Sequence, residues 1–126
     1  MRTATCVTRV LVIEDNPDIR EVLVEALRDE GYQVDWTSDG RRAVEKARQN
    51  TPALAIVDLM VPGMDGRRII RECRTDPRCA ATNFIVVSAF DVNQLEDVDA
   101  QAVIQKPFNL VHLMETVSEL APLEIA

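Results

Sequence analysis

Polar side chains that could do chemistry follow four separate apolar runs of the sequence. They are Glu14 and Asp15 after residues 10–13, Asp58 after residues 53–57, Ser88 after residues 84–87, and Lys106 shortly after residues 102–104. Three carboxylates brought together repel one another, so such a group needs a cation to neutralise it. Oxygen ligands without softer donors suit a hard ion, most naturally Mg²⁺.

The same residue types fit phosphoryl transfer. An aspartate beside a bound Mg²⁺ can attack a phosphorus centre and form an acyl phosphate. The metal and a fixed cation can then hold the phosphoryl oxygens. Lys106 can supply that cation, and Ser88 can donate one hydroxyl to a further oxygen. Any one of these residues could be ordinary surface polarity, but their equivalent positions after the apolar runs indicate a shared site.

The elements that must position these residues alternate between strands and helices about five times. Continuous apolar runs are typical of strands buried on both faces of a parallel sheet. The first intervening stretch has apolar residues at helical spacing, namely Ile19, Val22, Leu23, Ala26 and Leu27. Asn16, Asp39 and Asn109 can cap helices, and Gly31 can end one in the left-handed conformation. Residues 91–101 are weakly patterned and predict a short or irregular helix.

This alternation predicts an α/β fold. Parallel strands need crossovers, which are right-handed and place helices on both faces of the sheet. Ligands of such sheets bind at the carboxyl ends of the strands. All four groups of polar residues are expected at that edge.

Composition limits the classes of function. A chain of 126 residues with 47% apolar residues builds one domain, and a formal net charge of −7 argues against a nucleic-acid-binding face. No apolar run approaches the roughly 20 residues of a membrane span, and residues 1–8 lack the apolar stretch of a signal peptide. Cys6, Cys73 and Cys79 are an odd number without metal-like spacing, which indicates a reduced, cytoplasmic protein. The single histidine, His112, excludes a multi-histidine metal site within this chain.

Four motifs in order resemble the receiver domain of bacterial two-component response regulators. They are the segment ending in Glu14-Asp15-Asn16, the segment from Asp58 through Pro62-Gly63-Met64-Asp65-Gly66, the run ending in Ser88-Ala89, and Lys106-Pro107-Phe108. The resemblance implies a single-domain flavodoxin-like doubly wound sandwich, with a five-stranded parallel sheet of order 2-1-3-4-5. It places the receiver domain at residues 8–121, with terminal tails at 1–7 and 122–126.

The resemblance also implies a role for each site residue. It implies these metal ligands: Asp15 directly, Glu14 through water, Asp58, and the backbone carbonyl of Met60. Asp58 is at the same time the nucleophile that accepts the phosphoryl group. Lys106 pairs with the phosphoryl group, and the peptide bond from Lys106 to Pro107 is expected to be cis. Ser88 is the hydroxyl that moves toward the phosphoryl group.

A phosphorylation-controlled signalling module is the function that this resemblance implies. A sensor histidine kinase or a phosphotransfer protein donates the phosphoryl group, and a downstream protein or an attached output domain responds to a changed surface. The domain is catalytic only toward its own phosphorylation and dephosphorylation, so it is not an ordinary enzyme. It binds neither nucleic acid nor membrane directly.

Two features depart from the family pattern. Val103 stands where many members carry an aromatic residue that swings inward on phosphorylation, so the usual coupling to Ser88 cannot operate in its familiar form. Only 17 residues separate Ser88 from Lys106, which leaves less room than usual for a helix.

Met60 and Phe90 flank the expected path of the hydrolytic water, and their bulk predicts slow self-dephosphorylation.

Two alternatives remain at this stage. A binding module with a receiver fold and decayed switching would account for Val103, although such a module has no need of the carboxylates, Ser88 and Lys106. A Mg²⁺-dependent phosphohydrolase that resembles the haloacid dehalogenases would need an Asp-x-Asp motif after the first strand and a cap domain. The sequence has Glu14-Asp15-Asn16 there and no segment left for a cap.

Overall fold

The computed structural model describes residues 8–89 and 98–123, which form a parallel sheet with helices on both faces. The strands are β1 (Arg9–Ile13), β2 (Gln33–Thr37), β3 (Leu54–Asp58), β4 (Asn83–Ser88) and β5 (Ala102–Gln105). Their order is β2-β1-β3-β4-β5, and every neighbouring pair is parallel. The predicted α/β class and the predicted strand order are therefore confirmed.

Four helices connect or follow the strands within the described residues. They are α1 (Pro17–Asp29), α2 (Gly40–Asn50), α3 (Gly66–Arg74) and α4 (Leu110–Leu120). Each begins after a side chain that accepts hydrogen bonds from first-turn N–H groups, namely Asn16, Asp39, Asp65 and Asn109. Such caps satisfy donors that a helix leaves unpaired. Three of the caps were predicted from the sequence, and Gly31 has the expected positive φ of 107° after α1.

Apolar side chains form one core on each face of the sheet. Helices α2 and α3 pack on one face through residues such as Val44 and Ile70. Helices α1 and α4 pack on the other face through residues such as Leu27 and Leu113. Because β1, β3 and β4 lie between these layers, their side chains are buried on both sides, and their carboxyl ends meet at one edge.

The buried stripe of α1 differs from the predicted one at one position. Val22 is 48% exposed, whereas Val24 is buried beside Leu23 and Leu27. The apolar residues of this helix cover more than one face, so their spacing alone did not determine which of the two valines faces the sheet. In the packed structure Leu23 and Leu27 lie at the centre of the contact between α1 and the sheet, and Val22 lies at the margin of that contact.

Two further predictions fall partly outside the described residues. The irregular helix predicted for residues 91–101 can be compared only at residues 98–101, which are not helical. Cys73 and Cys79 are free and buried, as expected for cysteines that pack as small apolar residues, and Cys6 lies outside the described residues. No helix in the ranges 8–89 and 98–123 has both the length and the apolar character required to cross a bilayer.

Candidate functional site

Three carboxylates converge where β1 and β3 end. Glu14 and Asp15 follow the last residue of β1, and Asp58 is the last residue of β3. One oxygen from each of the three carboxylates lies within 4.8 Å of the others. Glu14 and Asp58 are buried and Asp15 is exposed, so the cluster opens to solvent on the Asp15 side.

Lys106 is the cation of this cluster. Its Nζ donates to Glu14 Oε1 and to Asp58 Oδ2, at 3.0 Å each. Its backbone N–H donates to the carbonyl oxygen of Ser88 at 2.7 Å, which fixes the lysine just beyond the paired ends of β4 and β5. The peptide bond between Lys106 and Pro107 is cis, as the sequence predicted.

Backbone N–H groups donate hydrogen bonds to the second oxygen of each buried carboxylate. Met60 N–H donates to Asp58 Oδ1 at 3.0 Å, and Asn16 N–H donates to Glu14 Oε2 at 3.3 Å. Sequence reasoning missed both donors because every residue except proline has a backbone N–H, so residue type carries no signal for them. Together with Lys106 they hold the two carboxylates in a defined orientation.

The loop after Asp58 is held against the start of α2. Gly40 N–H donates to the carbonyl oxygen of Pro62 at 2.8 Å. A β-carbon at Gly40 would lie 2.5 Å from the carbonyl oxygen of Met64, so only glycine allows this approach. Gly40 was not among the residues predicted to shape the site, although a glycine at the first position of a helix could have signalled a close backbone contact.

The two buried carboxylates have opposite pKa shifts. Burial raises the pKa of Glu14 to about 7, with a further contribution from Asp58 that outweighs the lowering effect of Lys106. Burial also acts to raise the pKa of Asp58, but the Met60 N–H, Glu14 and Lys106 outweigh it and hold that pKa below its usual range. Lys106 loses hydration, yet the two carboxylates raise its pKa above the usual value. Asp58 is therefore ionised at neutral pH, whereas Glu14 titrates near neutrality.

The shifted pKa of Glu14 predicts an unusual dependence of stability on pH. The folded protein binds this proton more tightly than the unfolded chain, so the stabilisation is present below about pH 4.5 and is lost as pH rises through about 7. We expect the metal-free protein to lose roughly 3 kcal/mol at most over this window from Glu14. The lowered pKa of Asp58 acts in the opposite direction, but only near and below its ordinary value of 3.8.

Urea unfolding at pH 5 and pH 8 in the presence of a chelator measures this effect. Glu14→Gln is the matched control, because it keeps the shape of the side chain and cannot titrate. The control should have a flatter profile than the parent, and Mg²⁺ should stabilise the parent more at pH 8 than at pH 5. Identical profiles for the parent and Glu14→Gln would contradict the expected protonation of Glu14.

Three of the other predicted residues, namely Ser88, Met60 and Val103, lie within the described residues. Ser88 ends β4 and is fully buried, with Gln105 of β5 as its cross-strand neighbour. Met60 is 61% exposed at the edge of the site, whereas Phe90 lies outside the described residues. Val103 is half-buried and packs against the core beneath α2 and α3. The chain thus has an aliphatic side chain at the position where many members of the family that it resembles carry an aromatic ring.

The donor set fits a magnesium ion. The protein ligands available to such an ion are carboxylate oxygens from Glu14, Asp15 and Asp58, which are the hard donors that Mg²⁺ prefers. The raised pKa of Glu14 indicates that Lys106 alone does not compensate the buried negative charge. A divalent cation near the exposed Asp15 would complete that compensation while keeping several waters of its own.

Comparison with known proteins agrees with this fold. The family model described as the response regulator receiver domain matches residues 10–118. The regulatory protein VanRB of Enterococcus faecalis is 34% identical over 116 residues, which cover 89% of this chain and 51% of VanRB. This chain therefore spans about half the length of that curated relative.

Two solved structures are informative about metal binding. One is the receiver domain of the sensor histidine kinase PA1611 from Pseudomonas aeruginosa, which has a magnesium ion coordinated in its active-site cleft. It matches with a TM-score of 0.82 and 25% identity, over 90% of this chain and 96% of that one. The response regulator TrrA from Thermotoga maritima, solved in complex with Mg²⁺ and BeF, matches with a TM-score of 0.79 and 31% identity, over 90% and 98% of the two chains.

The fold and the acidic edge define a doubly wound α/β domain with a carboxylate cluster at the carboxyl end of its sheet. The chain belongs to the response regulator receiver domain family of two-component systems. It is accordingly a phosphoryl-accepting signalling domain.

Proposed function

We propose that Asp58 accepts the phosphoryl group from a phosphohistidine of a sensor histidine kinase or phosphotransfer protein. The observation that supports this assignment is the position of Asp58, ionised and within 3.0 Å of the Lys106 ammonium, inside a three-carboxylate cluster. A carboxylate oxygen of Asp58 forms a bond to phosphorus as the bond from phosphorus to the histidine nitrogen breaks. The departing imidazole nitrogen keeps the electron pair and takes a proton from solvent.

The other residues position and neutralise the transferred group. Lys106 shifts from its bridge between the two buried carboxylates to the phosphoryl oxygens, where its charge is needed as negative charge accumulates. Ser88 donates its hydroxyl to another phosphoryl oxygen. The Met60 N–H keeps the Asp58 carboxylate oriented by its 3.0 Å hydrogen bond.

The proposed metal ligands are Glu14, Asp15, Asp58 and the backbone carbonyl of Met60. Asp15 would bind Mg²⁺ directly, and Glu14 would bind it through water. A bound Mg²⁺ supplies charge neutralisation for the phosphoryl oxygens. The three side chains keep their oxygens converged at the open edge, so the site disfavours softer metals by its donor type.

The receiver domain acts between a phosphoryl donor and a downstream partner. Residues 8–121 act as the receiver domain, with tails at 1–7 and 122–126, and a downstream protein or an attached output domain responds to the phosphorylated surface. Apart from its own phosphorylation and dephosphorylation the domain catalyses no reaction, and it makes no direct contact with nucleic acid or membrane. A cytoplasmic location belongs to the same proposal, and the free buried thiols of Cys73 and Cys79 suit a reducing compartment.

Intact mass measurement after incubation with acetyl phosphate tests this function. We expect a single phosphoryl adduct with Mg²⁺ and none when a chelator replaces the metal. Beryllofluoride should bind in the same metal-dependent way, as a mimic of the phosphoryl group. A folded protein that forms no adduct and binds no beryllofluoride would contradict the proposal and favour a receiver-fold binding module with decayed switching.

Met60 is expected to slow the loss of the phosphoryl group. Its apolar side chain is 61% exposed at the edge of the site, where it can hinder the approach of water to the acyl phosphate. Met60→Glu should therefore dephosphorylate several-fold faster, because a carboxylate can hydrogen-bond and orient an attacking water. The decay of the phosphoryl adduct after removal of acetyl phosphate gives the rate. Val22→Glu, which adds the same charge on α1, is the control, and equal rates in the parent and Met60→Glu would contradict this role.

A further inference from the structure

A groove of about 700 Å³ runs between α1 and α4 on the face of the sheet opposite to α2 and α3. Its apolar lining includes Ala26, Met114, Val111 and Leu123. Val111 is 67% exposed and Leu123 is 39% exposed, and both are among the five large apolar side chains most open to solvent in the described residues. Exposed apolar side chains that share one concave surface are typical of interaction sites rather than of a plain solvated surface.

The wall of the groove formed by residues 121–123 is held in place by the rest of the fold. The Tyr32 hydroxyl donates to the carbonyl oxygen of Ala121 at 2.7 Å. The Thr8 hydroxyl donates to the carbonyl oxygen of Pro122 at 3.4 Å. The side chain of Leu123 lies 3.9 Å from the position that a β-carbon on Gly31 would occupy. The groove is therefore preformed, which lowers the entropic cost of binding a partner.

Acidic side chains surround this groove. Asp29, Glu30 and Glu115 are exposed and contribute to its lining. Helices α1 and α4 together carry six acidic and two basic side chains. Helices α2 and α3 carry eight basic and two acidic side chains, so the negative charge is concentrated on the face that contains the groove.

We propose that this groove binds an amphipathic helix of another protein, with apolar residues along one side and lysine or arginine residues beside them. The part of the groove along α4, residues 110–118, is about 12 Å long, which matches two turns of a helix. An occupant of this kind inserts apolar residues at helical spacing, and its basic residues pair with the acidic rim.

The position of the groove distinguishes this partner from the phosphoryl donor. Helix α1 begins at Pro17 beside the carboxyl edge of the sheet and ends at Asp29 near the opposite edge. The α1 side of the groove is formed by Ala26, Asp29 and Glu30, at the end far from Asp58, whereas its α4 side begins at Leu110, four positions after Lys106. A helix bound at the end formed by Ala26, Asp29 and Glu30 can remain in place while Asp58 is phosphorylated.

A second copy of the chain is a poorer occupant. In a symmetric dimer through this face, each α1–α4 surface would meet an identical surface of the same acidic charge. Like charges brought together at an interface oppose association. A basic helix gains attraction from the same carboxylates.

Fluorescence anisotropy with defined peptides tests the proposal on the full chain. The probe is a fluorescein-labelled peptide of about 18 residues made of leucine and lysine with leucines at helical spacing, and the comparison peptide has glutamate in place of lysine. We expect the lysine peptide to bind and the glutamate peptide not to bind. Binding of both peptides with equal affinity, or of neither, would overturn the proposal.

Matched variants establish where the probe binds. Val111→Ser combined with Leu123→Ser should weaken binding by about tenfold, because apolar anchors in a groove dominate such interfaces. Val22→Ser removes an exposed valine of α1 outside the groove and should have less than about a twofold effect. Equal affinities for all variants would show nonspecific charge attraction and overturn the proposal.

Charge reversal and the mass of the free chain complete the test. Glu115→Lys should weaken the binding of the lysine peptide, whereas Glu45→Lys on α2 should not. Circular dichroism checks that each variant is folded, and sedimentation velocity of the chain alone measures its mass. A concentration-dependent dimer that Val111→Ser with Leu123→Ser abolishes would overturn the proposal in favour of a second copy as the occupant.

Discussion

Asp58→Ala should abolish the phosphoryl adduct that acetyl phosphate forms on the parent protein. The expected loss is complete, because the substitution removes the attacking oxygens and one carboxylate of the proposed metal site together. Intact mass measurement in the presence of Mg²⁺ provides the comparison. The variant should remain folded, since Lys106 still pairs with Glu14 at 3.0 Å when Asp58 is absent.

The control for this experiment is Asp29→Ala. Asp29 is an exposed aspartate at the far end of α1, so its removal should leave the adduct unchanged. Peptide mapping of the parent should place the phosphoryl group on the peptide that contains Asp58. An adduct of undiminished size on Asp58→Ala would move the acceptor to another residue and overturn the assignment.

Lys106→Met should slow phosphorylation by roughly 10²–10³-fold, which is the usual loss when one charge-stabilising donor is removed from an active site. The substitution should also destabilise the metal-free protein by about 2–3 kcal/mol, because two buried carboxylates lose their shared cation. Methionine keeps most of the length and apolar character of the lysine side chain. The adduct formation rate and urea unfolding give the two quantities.

Added Mg²⁺ separates the two roles of Lys106. A divalent cation can replace the missing charge between Glu14 and Asp58, so Mg²⁺ should stabilise Lys106→Met more than it stabilises the parent. It should not restore the phosphorylation rate, because the ammonium near the phosphoryl oxygens is still missing. Lys46→Met is the control, since Lys46 forms its 3.1 Å ion pair with Asp35 away from the site. Unchanged rate and stability in Lys106→Met would contradict both roles.

Much of the fold could be predicted from local patterns in the sequence. The apolar runs of β1, β3 and β4 are buried on both faces, and that environment requires uninterrupted apolar residues. Asn16, Asp39 and Asn109 cap helices through contacts within three residues of themselves, so their effect is local. The position of Glu14, Asp15 and Asp58 at one edge follows from the parallel order of the strands.

Other features depend on contacts between distant parts of the chain. The prediction that Val22 belongs to the buried stripe of α1 was wrong, and packing on the sheet buries Val24 instead. The groove between α1 and α4 exists because residues 121–123 return to Tyr32, which is 89 positions before Ala121. Neither feature has a signal in the residues that are adjacent in sequence.

The sequence by itself determined the strand and helix alternation, the strand ends that carry the polar residues, and the donor types that suit Mg²⁺. Tertiary structure alone decided that Lys106 bridges Glu14 and Asp58, since 92 and 48 positions separate the lysine from these carboxylates. It also decided that Glu14 is buried with a raised pKa while Asp15 is exposed. The physical reason is that burial and charge pairing depend on which elements pack together, whereas residue type and spacing act along the chain.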